Sequence, residues 1–173
     1  MARSMAVVDY DPVWPARYAE EVALLRDALG DECVRAHHIG STAVPGLAAK
    51  PVIDILLEVR SLEGLDRLDS AMRAVGYRPR GEFGIPGRRY YPKGEDARTH
   101  HVHAFETGDP HIDRHLVFRD YLRAHPDAVD EYAAIKVEAA AKFLHDSEGY
   151  QAHKHDVVQR LLADAIAWAG RRD

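Results

Sequence analysis

Apolar residues recur at three- and four-residue steps near both ends of the chain, a spacing that puts them on one face of an α-helix. Near the N-terminus this set comprises Trp14, Tyr18, Val22 and Leu25. Asp11 and Pro12 predict the N-cap and the first residue of this helix, and Gly30 predicts its end. The same periodicity predicts four more helices, over residues 62–75, 111–124, 126–144 and 152–169.

Two stretches in the first half of the chain carry the patterns of β-strands. Residues 34–39 alternate in polarity and predict a first strand, which Gly40-Ser41 ends. Residues 52–59 are nearly all apolar, as expected of a central strand buried on both faces. A loop is expected between them, where Pro45 and Pro51 bound a segment too short for a long helix.

A hairpin is predicted after the second helix, with strands over residues 88–92 and 99–106 joined by a polar loop. Because side chains alternate along a strand, His101 and His103 share one face of it. A further short strand is expected over residues 77–80. The resulting order of helix, two strands, helix, three strands and three helices predicts an α+β fold. Nothing in the pattern divides the chain, so a single domain is expected over residues 1–173.

Composition narrows the classes of partner. The 173 residues are 46% hydrophobic and 29% charged, as in an ordinary folded domain. The net charge of −5 argues against nucleic acid as the partner. Cys33 is the single cysteine, so an intramolecular disulfide is excluded. No apolar run approaches the roughly 20 residues of a membrane span, and residues 1–6 lack the apolar core of a signal peptide. We therefore expect a cytoplasmic protein without a membrane partner, and the oligomeric state is left open.

The most informative residue is Asp54, an isolated carboxylate in an apolar strand, which is costly to bury unless it is paired or binds a metal. A strand that ends in Gly40-Ser41, a short connection, and a strand that bears a carboxylate form the layout of a nucleotidyltransferase-type fold. In that layout Ser41 donates to a phosphate and Asp54 ligates a divalent ion. Leu56 stands where a second acidic residue is usual. The alternatives are that Asp54 caps a turn or pairs with Lys50, and that Ser41 caps the following turn.

Histidines and basic residues supply further candidates. His101 and His103 are candidates to complete a metal site or to transfer a proton, because imidazole suits Zn²⁺ or Mn²⁺ better than Mg²⁺; a structural or surface role is the alternative. His111 and His115 share a helical face that we expect to meet solvent. If the hairpin and the C-terminal helices close over Asp54, the candidates for anion contacts are Arg89, Arg119, Lys136 and Lys154.

Several segments resemble the GrpB family. They are residues 38–58, the run Arg98-Thr99-His100-His101-Val102-His103, residues 118–126, and Tyr150 with Lys154. The resemblance covers nearly the whole chain and implies a nucleotidyltransferase-like mixed β-sheet flanked by helices, with a helical C-terminal part. The resemblance also implies that in some related chains the same domain is fused behind dephospho-CoA kinase, where a chaperone-like or regulatory role has been proposed. The family pattern maps onto Gly40, Ser41, Lys50, Asp54, His101 and His103.

These observations give one leading hypothesis and two alternatives. The leading hypothesis is an enzyme that binds a nucleotide or another phosphorylated small molecule and transfers a nucleotidyl group. Asp54, His101 and His103 would be the catalytic residues of this enzyme and would ligate its divalent ion, which is Mg²⁺, Mn²⁺ or Zn²⁺. The phosphates of the ligand would be held by Gly40, Ser41, Lys50, Arg89 and Lys154. The alternatives are a non-catalytic binding or folding-assistance module, favoured by Leu56, and a metal-dependent hydrolase built on the His/Asp set.

Overall fold

The computed structural model describes residues 3–171 as a four-stranded mixed sheet with helices. The strands are β1 (Cys33–Ile39), β2 (Ile53–Val59), β3 (Arg89–Lys93) and β4 (His100–Glu106), and the helices are α1 (Trp14–Leu29), α2 (Leu62–Asp66), α3 (Asp69–Ala74), α4 (Pro110–Ala124), α5 (Pro126–Lys142) and α6 (Ser147–Arg171). The spatial order is β1-β2-β4-β3. The central pair β2 and β4 is parallel, and the two outer pairs are antiparallel. The predicted α+β class is confirmed.

The alternation of side chains along β2 separates a core face from a cavity face. Ile55 and Leu57 point into the main apolar cluster, where they pack with residues of α1 such as Trp14 and Leu25. Asp54 and Leu56 point to the other face, which α4 partly covers through Ile112 in a smaller cluster. A third cluster joins α4, α5 and α6 to the loop after the Gly-Ser turn. Asp54 therefore lies between the sheet and the C-terminal helices.

Four predicted elements were wrong in detail, and one of them is the last helix, which begins at Ser147 rather than near residue 152. Helix α1 begins at Trp14, so Asp11 is not its N-cap, although its carboxylate accepts from the Val13 amide at 2.9 Å. The helix expected over 62–75 is two short helices, because Gly64 weakens the first and the Leu68 amide bonds three residues back, to Leu65.

Residues 77–80 do not form a strand, so residues 3–171 contain four strands rather than five. The segment does follow β3, and the Arg78 amide donates to the Pro92 carbonyl at 3.0 Å. Pro92 has no N–H with which to return that bond, so the ladder is interrupted there. None of the helices in residues 3–171 is long and apolar enough to cross a membrane.

Candidate functional site

A cavity of about 700 Å³ opens on the face of the sheet that carries Asp54. Its walls come from the Gly-Ser turn, from β2 and β4, from the loop before β3, and from α4, α5 and α6. The C-terminal helices thus lie over Asp54, whereas the β3–β4 hairpin extends the sheet beside β2 and does not cover the carboxylate.

Asp54 sits at the centre of a carboxylate–imidazole cluster. In the parallel register of β2 and β4 it lies opposite His101. His103 Nε2 lies 3.2 Å and His101 Nδ1 3.4 Å from the same oxygen, Asp54 Oδ1. Burial alone would raise the pKa of Asp54, but the hydrogen bonds from both imidazoles outweigh it and hold that pKa well below its usual range. The carboxylate is therefore ionised throughout the physiological range.

The outer nitrogens of the two imidazoles indicate which atoms carry protons. Arg88 Nη1 lies 3.3 Å from His103 Nδ1, and because a guanidinium only donates, Nδ1 must accept. The His103 proton is then on Nε2, where it points at Asp54. His101 Nε2 is buried without a partner, and burial lowers the pKa of His101. A neutral ring with its proton on Nδ1 donates to Asp54 and leaves no buried N–H unpaired.

The hydrogen-bond partners of His101 and His103 decide how a divalent cation would fit this cluster. The donor atoms of Asp54, His101 and His103 lie within 4.8 Å of one another, which suits a shared ion by distance. A histidine that ligates a metal normally donates its outer N–H to an acceptor. Here the outer nitrogen of His103 faces a guanidinium, and that of His101 has no hydrogen-bond partner among residues 3–171. Asp54 fits a cation that also takes phosphate oxygens, as Mg²⁺ does, and the imidazoles fit as donors to Asp54.

The turn before β2 brings backbone close to Asp54. Gly40 has φ +73°, and a Cβ there would lie 2.6 Å from Asp54 Oδ2. Ser41 lines the cavity, and the short helical turn over Ser41–Ala43 has no side-chain cap, so Ser41 does not cap it. The buried His38 donates to or accepts from Thr42 at 2.9 Å, and burial lowers the pKa of His38 to about 4, so it stays neutral.

We expect Gly40→Ala to displace the carboxylate. A side chain at this backbone conformation costs about 1–3 kcal/mol of stability, and the new methyl group meets Asp54 Oδ2. Thermal unfolding should show that loss, and the NMR shifts of His101 and His103 should move. Unchanged imidazole shifts in a destabilised variant would contradict the proposed contact between this turn and Asp54.

Three lysine amines gather at the helical side of the cavity. Lys50 Nζ lies 4.7 Å from the centre of the Tyr150 ring, and Lys154 Nζ lies 5.4 Å from the same ring. Lys136 is only 2% exposed, with its Nζ 4.9 Å from the centre of the Tyr132 ring. Within residues 3–171 no carboxylate forms an ion pair with any of the three.

Burial and mutual repulsion lower the pKa of two of these amines, those of Lys50 and Lys136. Burial, then the charge of Lys154, lowers the pKa of Lys50 to about 8. Burial, then Lys154 and Lys50, holds the pKa of Lys136 well below its usual range. Six cationic side chains line the cavity against one carboxylate, namely Arg3, Lys50, Arg88, Arg114, Lys136 and Lys154. A chain with net charge −5 thus concentrates unpaired positive groups where an anion can enter.

The structure brings most of the predicted site residues together. Gly40, Ser41, Lys50 and Lys154 all line the cavity beside Asp54 and the two imidazoles. Arg89 does not, because it alternates with the cavity-lining Tyr90 along β3 and so points to the opposite face. Its guanidinium pairs instead with Asp66, at 2.7 and 3.0 Å.

Other residues lie differently from their predicted positions. His111 and His115 were expected to meet solvent, but both line the cavity, and the His115 ring centre is 5.9 Å from that of His103. Burial, then His103, lowers the pKa of His115 to about 4. Helical spacing places the two histidines on one face without indicating that this face packs over β4. The alternative that Asp54 pairs with Lys50 is wrong, because the Lys50 amine donates to Met5 Sδ instead. Arg119, a candidate for anion contacts, donates to the His38 carbonyl at 3.2 Å.

Comparison with known proteins assigns the chain to a family. The family model described as GrpB protein matches residues 4–164. The chain belongs to the GrpB family. UPF0157 protein YqkA of Bacillus subtilis (strain 168) is 44% identical over 171 residues, covering 99% of this chain and 50% of that protein. Dephospho-CoA kinase of Mycolicibacterium paratuberculosis is 32% identical, covering 94% of this chain and 46% of that protein. This GrpB-family chain spans about half the length of those two relatives.

Solved structures agree with this assignment. The crystal structure of conserved protein GrpB from Enterococcus faecalis has a TM-score of 0.91 and 38% identity, covering 95% of this chain and 99% of that chain. Cid1, in complex with the UTP analog UMPNPP, has a TM-score of 0.51 and 14% identity, covering 79% of this chain and 43% of that chain. At that identity the likeness concerns the fold, and it agrees with the nucleotidyltransferase-like fold predicted for this GrpB-family chain.

Proposed function

We propose that this GrpB-family protein binds a nucleoside triphosphate, or another small molecule with a phosphate chain, together with a divalent cation. The observation that carries the proposal is that one cavity holds an ionised carboxylate and three lysine amines that form no ion pair with any carboxylate of the described residues. Burial of Lys136 disfavours the charged form of its amine, as its lowered pKa shows, and a bound anion would restore that charge. Phosphate oxygens are the natural compensating groups, because each accepts charge-assisted hydrogen bonds from lysine.

Each side chain then has a role. Lys50, Lys136 and Lys154 hold the outer phosphates, and Ser41 donates to a phosphate beside Asp54. His101 and His103 keep Asp54 ionised and fixed in position. When bound, the cation neutralises phosphate charge, and Asp54 is the residue that would hold it.

The names of relatives and structural neighbours support this choice of ligand class. One relative is named dephospho-CoA kinase, and Cid1 was solved with a UTP analog. Both point to ligands in which a nucleoside carries phosphates. Coenzyme A precursors therefore belong with the nucleoside triphosphates among the compounds to be tested.

Leu56 favours binding without transfer as the second candidate function. It is fully buried in an apolar cluster with Ile39, Phe105 and Ile112, so no second carboxylate lies at that position. A domain with one carboxylate can hold a cation–phosphate complex and lack the second metal ligand that two-metal transfer requires. Such a domain would act as a ligand-dependent binding or folding-assistance module.

The direct test is calorimetric titration with ATP, GTP, CTP, UTP and dephospho-CoA, each with Mg²⁺, Mn²⁺ or EDTA. The proposal predicts cation-dependent binding of at least one compound and, because Asp54 is the single ligand, weak binding of metal alone. Absence of binding across the panel would overturn it. Release of pyrophosphate by the bound compound would favour transfer, and tight binding without release would favour the module.

Binding should also take up protons. In the free protein the pKa of Lys50 is about 8, and an adjacent polyphosphate shifts it back towards the ordinary value of about 10.5. At about pH 9 the free amine is mostly neutral and the bound amine is charged, so affinity falls as pH rises. Titrations of ATP in buffers with different ionisation enthalpies should show net proton uptake. Proton release, or a heat independent of the buffer, would contradict the placement of phosphate beside Lys50.

A further inference from the structure

Phe83 lies at the mouth of the cavity and is unusually exposed for an aromatic residue. Its side chain is 63% exposed, the largest value among the exposed large hydrophobic residues of the described chain, and it is the only aromatic among them. One face of the ring stacks on Tyr90, with ring centres 5.2 Å apart and an interplanar angle of 23°. Tyr90 in turn lies 5.4 Å from the His103 ring. A line of rings thus leads from the mouth of the cavity towards Asp54.

The backbone holds Phe83 in a strained conformation. Its φ is +49°, and no other non-glycine residue of the described chain has a positive φ. The neighbouring Gly81, Gly84 and Gly87 also have positive φ. Strain of this kind costs of order 1–3 kcal/mol and persists where surrounding contacts impose it. Because most of Phe83 stays exposed, burial of apolar surface compensates only a small part of this cost.

Arg88 supplies the contacts that impose the conformation. It is 8% exposed and donates through Nη2 to the Phe83 carbonyl at 2.9 Å and through Nε to the Glu82 carbonyl at 3.2 Å. Its remaining nitrogen, Nη1, contacts His103 at 3.3 Å. One buried guanidinium therefore fixes the position of Phe83 relative to the Asp54 cluster.

We propose that Phe83 is a stacking platform for the nucleobase of the ligand. This inference rests on the proposed function and specifies its ligand as one with an aromatic base, rather than a bare phosphate chain. The base lies on the open face of the Phe83 ring, while the phosphates extend past Asp54 to the lysines. Stacking on an aromatic side chain tolerates every base, because each base has a π face. Phe83 then contributes affinity for nucleosides without choosing among them.

The test compares ATP and UTP with inorganic tripolyphosphate, with Mn²⁺ present, on the wild type and on Phe83→Ala, Phe83→Leu and Phe83→Trp. The wild type should bind the nucleotides more tightly than tripolyphosphate. Phe83→Ala should lose about 5- to 150-fold in nucleotide affinity, from the usual value of a stacked base, and keep its affinity for tripolyphosphate. Phe83→Leu, which is apolar without a π face, should lose nearly as much. Phe83→Trp should retain binding, and its fluorescence should be quenched by nucleotide.

Leu24→Ala is the matched control, because Leu24 is also exposed but lies on α1 away from the cavity. It should leave every affinity unchanged. Equal wild-type affinities for nucleotides and tripolyphosphate, or full nucleotide affinity in Phe83→Ala, would overturn the platform and leave the proposed phosphate site standing. Failure of the wild type to bind either kind of probe would overturn both.

Discussion

Asp54→Asn should abolish the cation dependence of nucleotide binding. The amide keeps the shape of the carboxylate but removes the charge that His101 and His103 stabilise. Changes to residues around a metal ligand already cost about 10–100-fold in metal affinity, so loss of the ligand itself should cost on the order of 100-fold or more. Calorimetry with ATP in Mn²⁺ and in EDTA measures this directly. In the variant the two affinities should be equal.

The control for this variant is Asp27→Asn, which removes an exposed carboxylate on α1 with the same change in net charge. It should retain the cation dependence of the wild type. Circular dichroism and thermal unfolding should show that Asp54→Asn is folded. A folded Asp54→Asn protein that still binds ATP more tightly with Mn²⁺ than with EDTA would show that the cation is held elsewhere.

Lys136→Met should raise the stability of the protein and lower its affinity for the phosphate ligand. The Lys136 residue is 2% exposed, its side chain lines the cavity, and no carboxylate of the described chain pairs with it. Removing a polar group from water costs up to about 1–3 kcal/mol, and methionine fills the same space without that cost. The melting temperature should rise by about 2–4 °C for each kcal/mol gained. The affinity for tripolyphosphate should fall about 10- to 150-fold, because hydrogen bonds to charged groups contribute about 1.5–3 kcal/mol.

A Lys136→Met protein that gains stability and loses phosphate affinity distinguishes a lysine that binds ligand from one that stabilises the fold. Lys142→Met is the matched control on the same helix, because Lys142 is exposed and pairs with Glu138 at 3.1 Å. That surface pair contributes about 0–1 kcal/mol, so both measurements should change little. A Lys136→Met protein that is destabilised, or that binds tripolyphosphate as well as the wild type, would contradict the role proposed for Lys136.

The centre of the site was predictable because its residues break strong local patterns. Asp54 interrupts an apolar strand, and alternation alone places His101 and His103 on one face. Lys136 also breaks a pattern, since Tyr132 and Ala140 lie one helical turn away on the same buried face. A lysine within an apolar helical stripe is a signal of burial, and only its proximity to Lys50 required the tertiary fold.

The residues near the mouth of the cavity could not be predicted from the sequence in the same way. The positions of Phe83 and Arg88 depend on backbone angles in a glycine-rich loop, where φ can take either sign. Glycine spacing indicates a turn there but does not indicate which side chain faces the cavity. The wrong prediction for Arg89 has the same origin. The register of β3 decides which of its side chains face Asp54, and it places Tyr90 on that face and Arg89 on the other.

In the proposed complex, one cavity holds a cation at Asp54 and phosphates at the three lysines. The most direct measurement is a crystal structure with Mn²⁺ and a non-hydrolysable nucleoside triphosphate, with anomalous diffraction to locate the metal. We expect an anomalous peak at the Asp54 carboxylate and a triphosphate in contact with Lys50, Lys136 and Lys154. Manganese away from Asp54, or a triphosphate that touches none of the lysines, would contradict it.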